Sequence, residues 1–275
     1  MNNETNTQPR LLGLIAGNGK FPILFARKAK SQNYKVIAAG IKGDTTRLLK
    51  FFVDQLHWFH VGELKNLFAY FQQQGVKQVI MAGQVNPKNL FEKDVVLDEE
   101  FKQLFAAIKD RKADTIFTAV ADKLRAAGME LVDSTFLLKE YLAPKGTLTR
   151  RGPTQQELED IEFGTAIAKR MGEIDVGQTV VIKDKAIVAI EAMEGTDRAI
   201  ARGSQIARCG AVIVKMSKPK QDFRFDVPVM GPRTIQTMIK NQAGCIAVEA
   251  GKTIIIDRDK CIKMANQAGI CILAA

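Results

Sequence analysis

The sequence predicts an α/β protein of two domains, an N-terminal Rossmann-like domain with a parallel sheet and a C-terminal α/β domain with a mixed sheet. In the first half, short runs rich in Val and Ile alternate with helical patterns, which is typical of a parallel sheet covered on both faces. In the second half, two apolar runs flank Lys183-Asp184 closely enough to predict a hairpin. The predicted divisions are a disordered tail over 1–10, the Rossmann-like domain over 11–146, a linker over 147–153 and the C-terminal α/β domain over 154–275.

The N-terminal domain is expected to alternate strands and helices. Strands are predicted at 11–17, 35–41, 56–61, 78–84 and 129–134. Helices are predicted at 21–32, 63–74, 98–109 and 113–127. A further helix is predicted at 136–146, ending at Pro144 and Gly146.

The C-terminal domain is expected to begin with a helix over 154–171, because Thr154 and Glu157 have the spacing of a capping box. The hairpin follows at 178–192. Helices are then predicted at 195–208, 233–241 and 258–268, and strands at 210–216, 245–257 and 270–274.

Composition indicates a soluble globular protein, with 46% hydrophobic and 25% charged residues among 275. No apolar run approaches the roughly 18 residues that span a bilayer, and the polar N-terminus does not resemble a secretory signal. We therefore expect a cytoplasmic location. The four cysteines form no CxxC pair and are expected to be buried and reduced. Zinc is not expected, because His57 and His60 would point to opposite faces of a strand.

The net charge of +10 is spread over both halves, with one basic stretch from Arg198 to Arg224 that contains seven bases and a single acid, Asp222. Such a stretch favours anionic partners, namely phosphorylated ligands or anionic lipid headgroups. The alternative is an ordinary solvated basic face. Nucleic acid is not an expected partner, because the stretch has little aromatic interleaving beyond Phe223 and Phe225.

The loop Gly17-Asn18-Gly19 follows the first strand in the manner of a nucleotide-binding turn. A dinucleotide fingerprint would need a third glycine where Pro22 stands, and no Gly-Lys-Ser/Thr follows as a Walker A loop would require. Proline is favoured in the first turn of a helix, so Pro22 is consistent with a helix that begins here. The remaining interpretations are a turn whose free backbone N–H groups meet one phosphate and a purely structural turn.

Ligands of parallel α/β sheets bind beyond the carboxyl ends of the strands. This rule selects the residues that follow each predicted strand of the first domain: Asn18, Gly19, Gly83, Gln84, Asp133 and Ser134. Gln84 and Ser134 have polar groups suited to a sugar or a base. Because turns are polar in any case, each residue alone is weak evidence.

The stretch "AIEAMEGTDRAIARG" (189–203) brings two carboxylates to the start of a predicted helix. Thr196 or Asp197 would serve as an N-cap, which is the structural interpretation of either residue. A cap does not require further charged side chains, yet this stretch also contains Glu191, Glu194 and Arg198. A helix N-terminus beside carboxylates could hold a cation together with a phosphate.

The stretch "KMSKPKQDFRFDVPVMGPRT" (215–234) presents Asp226 in a loop that Pro228 stiffens, since proline holds Val227 extended. A carboxylate beside bases suits the hydrolysis of a phosphoanhydride. Bases and a divalent cation stabilise charge on the phosphoryl oxygens, and the carboxylate orients water or metal. The alternative is an ion pair between Asp226 and Arg224 at the surface.

Five stretches in this order resemble the LpxI-type UDP-2,3-diacylglucosamine pyrophosphatases of lipid A biosynthesis: "IAGNGKFP", "MAGQV", "VGQTVVI", "AIEAMEGTDRAIARG" and "RFDVPVMGPRTI". The resemblance covers nearly the whole chain. It implies a divalent-cation-dependent hydrolase that splits UDP-2,3-diacylglucosamine into UMP and 2,3-diacylglucosamine 1-phosphate. It also implies a lipid substrate held between two domains, and the family's essential aspartate matches Asp226. The lysine in "GNGKFP" and the N-terminal tail depart from the family.

The predicted site follows from the residues and the resemblance together. Asp226 and Asp197 are expected to act in catalysis and to bind Mg²⁺ or another divalent cation. The expected substrate-binding residues are Gly17, Asn18, Gly19, Gly83, Gln84, Ser134, Glu194, Gly195, Thr196, Arg198 and Lys215.

We also expect contact with an anionic membrane surface, peripherally at the inner membrane, and leave homo-oligomer formation open. Two alternatives remain: a non-catalytic protein that binds a nucleotide sugar or an acyl lipid, and an oxidoreductase with a degenerate dinucleotide loop.

Overall fold

The computed structural model describes residues 9–85, 96–110 and 112–275, which divide between two compact units. The first unit runs to Leu138 and also includes Phe223–Phe225. The second unit comprises Lys139–Asp222 and Asp226–Ala275. Each unit has a sheet of its own, so the predicted α/β class with one parallel and one mixed sheet is confirmed.

The first unit is built on a parallel five-stranded sheet in the order β3-β2-β1-β4-β5. Its strands are β1 (Arg10–Ala16), β2 (Tyr34–Ile41), β3 (Gln55–Phe59), β4 (Gln78–Ala82) and β5 (Glu130–Leu131). The central strands are almost wholly buried, as expected for strands covered on both faces. β1 lies in the middle, so the loop after β1 lies between those after β2 and β4.

The helices of the first unit lie close to their predicted positions. They are α1 (Phe21–Ser31), α2 (Leu64–Gln73), α3 (Glu99–Ala107) and α4 (Ala113–Ala126), with a 3₁₀ helix at Arg47–Phe51. Proline stands in the first turn of α1, as its sequence predicted. α2, α3 and α4 contribute Phe71, Leu104 and Leu124 to the core.

The prediction of a helix over 136–146 is wrong. The Asp133 carboxylate accepts hydrogen bonds of 2.7 Å from both the backbone N–H and the hydroxyl of Thr135, which starts a turn instead. Only a short 3₁₀ helix forms, at Lys139–Tyr141. Beyond it, the N–H of Ala143 donates to the carbonyl of Thr253 rather than within a helix.

The second unit is built on a mixed six-stranded sheet in the order β6-β13-β11-β9-β7-β8. The strands are β6 (Gly146–Thr147), β7 (Thr179–Lys183), β8 (Ala186–Ile190), β9 (Val212–Lys215), β11 (Cys245–Val248) and β13 (Cys271–Ala274). β9, β11 and β13 are parallel, whereas β6 and β7 run antiparallel to their neighbours. β10 (Val229–Met230) and β12 (Ile254–Ile255) form a separate parallel pair.

The predicted hairpin is confirmed as β7 and β8. Its turn residues Asp184 and Lys185 both have positive φ, at 51° and 60°, as a two-residue hairpin turn requires. Their N–H groups donate to the Asp160 carboxylate at 3.2 and 2.6 Å. By contrast, the strand predicted over 245–257 is two strands, β11 and β12, because the chain turns at Gly251 with a φ of 70°.

The second unit's helices are α5 (Gln155–Glu173), α6 (Thr196–Ala207), α7 (Pro232–Lys240) and α8 (Arg258–Gln267). The capping box of α5 is confirmed: Thr154 accepts from the Glu157 N–H, and Glu157 accepts from the Thr154 N–H. Within the described ranges, none of the helices combines the length and the apolar composition that a membrane crossing requires.

Candidate functional site

The polar residues of the second unit gather where β9 ends and β7 begins. Thr179 of β7 is the register partner of Lys215 of β9, so the start of one strand lies beside the end of the other. The N–H of Met216 then donates to the carbonyl of Gln178 at 3.0 Å, which extends the contact beyond the strands. Two polar clusters form here, one around Lys215 and one around Asp226.

Lys215 is a buried cation, only 5% exposed, that contacts three oxygen-bearing side chains. Its Nζ lies 3.0 Å from the Thr196 hydroxyl, 3.4 Å from the Thr179 hydroxyl and 3.8 Å from Glu191 Oε2. Hydrogen bonds and an opposite charge compensate the cost of burying this ammonium group. Lys215 therefore joins the Glu191–Thr196 stretch to the end of β9, and its contact with substrate stays a prediction.

Glu191 has one satisfied and one unsatisfied oxygen. Oε1 accepts a hydrogen bond of 2.8 Å from the Thr196 hydroxyl. Oε2 is buried, and no hydrogen-bond partner for it is found in the part of the chain that the structure describes. A buried acceptor without a donor is costly, so this oxygen is suited to receive a hydrogen bond from a ligand or a water.

The first turn of α6 is not capped as the sequence suggested. The N-cap is Gly195, with a φ of 84°, and neither Thr196 nor Asp197 caps the helix. The Thr196 hydroxyl is engaged with Glu191 and Lys215 instead. The positive end of the α6 dipole thus lies beside the buried Lys215, which together favour an anionic group.

The other predicted residues of this stretch have different partners. Glu194 Oε1 accepts from Arg202 at 2.7 Å, and its Oε2 accepts from the Ala192 N–H. Burial alone would raise the pKa of Glu194, but the hydrogen bond from Arg202 and those from the backbone outweigh it and lower that pKa. Asp197 pairs with Arg233 Nε at 2.8 Å and with the Thr234 hydroxyl at 3.2 Å, whereas Arg198 is exposed.

Asp226 is held by two donors that both contact Oδ2. The buried Lys218 places Nζ 3.1 Å from Oδ2, and the Gln178 amide donates to the same oxygen at 2.7 Å. Lys218 also forms an ion pair with Asp175. Lys218 thus supplies a cation to Asp226 from within the second unit, and the suggested surface pair of Asp226 with Arg224 stays a prediction.

The arrangement around Asp226 leaves its other carboxylate oxygen available. None of the described residues forms a hydrogen bond with Oδ1, while Lys218 and Gln178 both contact Oδ2. The backbone is fixed as well, because the Asp226 N–H donates to the Asp222 carbonyl and the Gln221 amide donates to the Asp226 carbonyl. Asp226 is therefore a rigid, partly exposed base or ligand.

A further pair fixes the chain between Lys215 and Lys218. Glu249, directly after β11, accepts from the Ser217 N–H at 2.9 Å and also from its hydroxyl, and it pairs with Lys252 at 2.6 Å. Burial alone would raise the pKa of Glu249, but the hydrogen bonds from Lys252 and Ser217 lower it overall. Both lysines are thus presented by one anchored segment.

In the first unit, the predicted loops after β1 and β4 lie against each other. Asn18 and Gln84 form an isolated antiparallel bridge. A Cβ on Gly17 would lie 2.6 Å from the Gln84 carbonyl oxygen, and one on Gly83 would lie 2.4 Å from that of Asn18. The glycines allow this close backbone approach, which is the structural interpretation of the loop.

The same contact uses backbone groups that the phosphate hypothesis needed. The Gly17 N–H donates to the Ala82 carbonyl and the Asn18 N–H to the Gln84 carbonyl, both at 2.8 Å. Gly19, with a φ of 90°, has no described atom within 4 Å of a Cβ position. Phosphate contact at this loop stays a prediction, restricted to the groups from Gly19 onward.

Ser134 is fully buried in the first unit. Its Oγ lies 2.6 Å from the Met81 carbonyl oxygen and 2.9 Å from that of Arg224, and its N–H donates to the Phe223 carbonyl. These contacts join Phe223–Phe225 to the end of β4, where Phe225 also stacks on Phe117. Ser134 has an evident structural role, and its contact with substrate stays a prediction.

The residues present fit a divalent cation only in part. Within residues 9–85, 96–110 and 112–275, no group of three His, Cys, Asp or Glu is placed to hold a metal by itself. Mg²⁺, however, is often bound by one or two carboxylates together with substrate phosphates. Oδ1 of Asp226 fits that mode, whereas Asp197 would first have to leave its contacts with Arg233 and Thr234.

Sequence reasoning did not select the residues that hold Asp226. In the sequence, Gln178 belongs to the "VGQTVVI" stretch and Lys218 to the basic stretch, and neither these two residues nor Asp175 stands in a pattern that indicates a role. The available signal was a polar Gln-Thr pair at the start of an apolar strand, but only the antiparallel pairing of β7 with β9 brings it beside the carboxyl end of β9, where such sheets carry functional groups. Asp226 and Lys215, the partners of this pair, lie 48 and 36 residues away and could not be read from spacing.

Family models match both halves of the chain. The model of the LpxI N-terminal domain matches residues 11–141, and that of the LpxI C-terminal domain matches residues 144–273. The second match includes both polar clusters described above.

A curated relative matches over nearly the full length. UDP-2,3-diacylglucosamine pyrophosphatase LpxI of Caulobacter vibrioides is 29% identical over 96% of this chain and 97% of its own.

Similarity to solved structures is low. Rhizobium etli pyruvate carboxylase is 12% identical, with a TM-score of 0.28 over 70% of this chain and 15% of that one. The biotin carboxylase subunit of pyruvate carboxylase is 12% identical, with a TM-score of 0.26 over 70% of this chain and 40% of that one. The chain spans well under half of these proteins, and the scores carry no structural argument.

Proposed function

Because the chain belongs to the LpxI family, we propose that it hydrolyses the pyrophosphate bond of UDP-2,3-diacylglucosamine in lipid A biosynthesis. The products are UMP and 2,3-diacylglucosamine 1-phosphate. Support comes from the name of the curated relative, which covers both ends of this chain. The single observation that carries the proposal is Asp226, a carboxylate oriented through Oδ2 by Lys218 and Gln178 with Oδ1 left to act.

In the reaction, the oxygen of a water forms a bond to phosphorus while the bond from that phosphorus to the bridging oxygen breaks. Asp226 Oδ1 orients this water, the proton of the water passes to solvent, and the leaving phosphate departs as an anion. Negative charge grows on the phosphoryl oxygens during this step. The buried Lys215 ammonium and the uncapped start of α6 are suited to stabilise that charge.

Mg²⁺ or another divalent cation is the proposed cofactor, held by Asp226 Oδ1 together with oxygens of the substrate. When bound, it would neutralise charge on the pyrophosphate and lower the pKa of a coordinated water. Asp197 would be a second ligand of the cation only after its ion pair with Arg233 is broken. Lys218 holds Asp226 in orientation in either case.

The acyl chains of the proposed substrate also indicate where in the cell the enzyme works. We expect the enzyme to work in the cytoplasm at the inner membrane, in peripheral contact with anionic lipid. Exposed members of the basic stretch from Arg198 to Arg224, such as Arg198 and Lys220, supply attraction to such a surface, whereas Lys215 and Lys218 are buried.

The testing experiment supplies purified protein with UDP-2,3-diacylglucosamine in detergent micelles, with Mg²⁺ or with EDTA. We expect UMP and 2,3-diacylglucosamine 1-phosphate only with the metal. Asp226→Asn should lower kcat roughly a thousandfold while substrate binding persists. Asp259→Asn, an exposed aspartate of the same unit, is the matched control and should keep full activity.

Two results would contradict parts of this proposal. Undiminished hydrolysis in EDTA would contradict the proposed need for a divalent cation. No product from the wild type under any condition, with substrate still bound, would favour the second candidate, a non-catalytic binder of nucleotide sugars or acyl lipids.

A further inference from the structure

The 3₁₀ helix Arg47–Phe51, between β2 and β3 of the first unit, exposes two large apolar side chains. Leu48 is 59% and Phe51 69% exposed, among the highest values of the large apolar residues described. Leu49, between them, is fully buried and attaches the helix to the core. The exposed pair is therefore held outward by a fixed element.

The geometry of the helix places its four exposed side chains in two rows. A 3₁₀ helix has about three residues per turn, so side chains three apart lie on the same side. Leu48 and Phe51 form an apolar row, and Arg47 and Lys50 form a cationic row beside it. Lys50 Nζ lies 4.8 Å from the centre of the Phe51 ring, so the two rows are in contact.

The turn is also locally rigid. The Thr46 hydroxyl accepts from the Leu48 N–H at 3.3 Å, and the N–H groups of Leu49 and Phe52 donate to Thr46 and Leu49 carbonyls. Thr46 therefore caps the helix and fixes the direction of both rows.

The charge on the helix itself is one-sided, since no acidic residue lies between Thr45 and Val53. The two flanking acids have partners: Asp44 is half-buried and not free, and Asp54 is engaged by Lys30 at 3.3 Å and by the Val36 N–H at 2.8 Å. An apolar row with Leu and Phe beside Arg and Lys is the composition of elements that lie in the headgroup region of an anionic bilayer. A protein partner would more often meet a mixed-charge rim.

We propose that Arg47–Phe51 is the surface by which this protein enters an anionic lipid bilayer, with Leu48 and Phe51 among the upper acyl chains and Arg47 and Lys50 at the headgroups. This surface gives the proposed function, on which it rests, a defined point of membrane contact. It uses none of the residues assigned to catalysis or substrate binding. Two apolar side chains anchor weakly, so the contact is reversible and sensitive to salt.

The test is flotation of the full-length protein with vesicles of phosphatidylethanolamine and phosphatidylglycerol, compared with vesicles of phosphatidylcholine alone. Wild type should bind the anionic vesicles and lose binding at high salt. Leu48→Ser/Phe51→Ser should bind about tenfold more weakly. Arg47→Gln/Lys50→Gln should weaken binding by a similar factor.

The control is Ile174→Ser/Ile206→Ser, which removes two apolar side chains of comparable exposure, 55% and 61%, from the second unit. It should bind like the wild type. Equal binding by the wild type and Leu48→Ser/Phe51→Ser overturns the proposal. So does an oligomer, seen by light scattering, that dissociates in Leu48→Ser/Phe51→Ser without any vesicle binding.

Hydrolysis of substrate in detergent micelles separates this proposal from the proposed function. Leu48→Ser/Phe51→Ser should keep micellar activity while losing vesicle binding, and Asp226→Asn should do the reverse. Failure of flotation with intact micellar activity overturns only the membrane surface.

Discussion

Asp226 depends on Lys218 and Gln178, two side chains that act on the same carboxylate oxygen. Both donors contact Oδ2, so neither competes for Oδ1. Lys218 is buried and also pairs with Asp175, which fixes the position of its ammonium group between two carboxylates. Lys218 thus acts through Asp226, as a positioning residue.

Lys218→Met tests this role. We expect kcat to fall about tenfold to a hundredfold, with a smaller change in KM, because the carboxylate loses its orientation while the phosphate contacts remain. Lys218→Arg should recover part of the lost kcat. Steady-state kinetics on folded protein, checked by circular dichroism, provides the measurement.

Lys220→Met is the matched control, since Lys220 is exposed and lies two residues further along. A Lys218→Met enzyme with the kcat of Lys220→Met would show that Asp226 needs no such support.

Among the elements, the segment before α5 is more firmly attached than its composition suggested. Arg151 donates to both oxygens of Glu157, at 2.7 and 2.9 Å. It also donates to the carbonyls of Gly244 and Gly269, which directly precede β11 and Ile270. One guanidinium therefore connects the start of α5 to the loops that lead into two strands of the sheet.

Arg151→Ala should lower the free energy of unfolding of the protein by roughly 2 kcal/mol, because it removes the guanidinium that pairs with the partly buried Glu157 carboxylate and donates to the Gly244 and Gly269 carbonyls. Urea denaturation followed by circular dichroism measures the change. Arg150→Ala, which removes an exposed side chain next to it, should change stability by a few tenths of a kcal/mol at most. Equal losses for the two variants would contradict this account.

For the whole molecule, Glu157 and Glu249 make stability depend on pH. Burial would raise each pKa, but hydrogen bonds from Arg151 to Glu157 and from Lys252 and Ser217 to Glu249 outweigh it, so each pKa lies below the ordinary 4.5. A carboxyl whose pKa is lowered by folding contributes stability that is complete above its unfolded pKa. That contribution is lost as the pH falls through the folded pKa.

We therefore expect the free energy of unfolding to be constant near neutral pH and to fall below about pH 4.5. Glu157→Gln/Glu249→Gln should be less stable at pH 7 and should lose less on acidification. Urea titrations of both proteins across the acid range measure this. An identical acid loss in the double variant would show that other carboxyls carry the dependence.

Much of the fold follows from local patterns. Short apolar runs, most of them rich in Val and Ile, predicted the strands of the first sheet, and the Thr154–Glu157 spacing predicted the start of α5. Failures came where contacts distant in sequence overrode a local pattern. The stretch 136–146 has helical composition, yet Ala143 bonds to Thr253 instead.

For the site, the sequence alone determined which residue types stand at strand ends and helix starts, because side-chain chemistry and the positions of strands and helices along the chain are local properties. These positions select Lys215 and Thr196, whereas the loop stiffened by Pro228 and the family resemblance select Asp226. Only the tertiary structure decided their partners: Gln178 and Lys218 on Oδ2 of Asp226, and Glu191 beside Lys215. The physical reason is that hydrogen bonds and ion pairs depend on distances of a few ångströms between segments, which the fold sets and residue spacing does not.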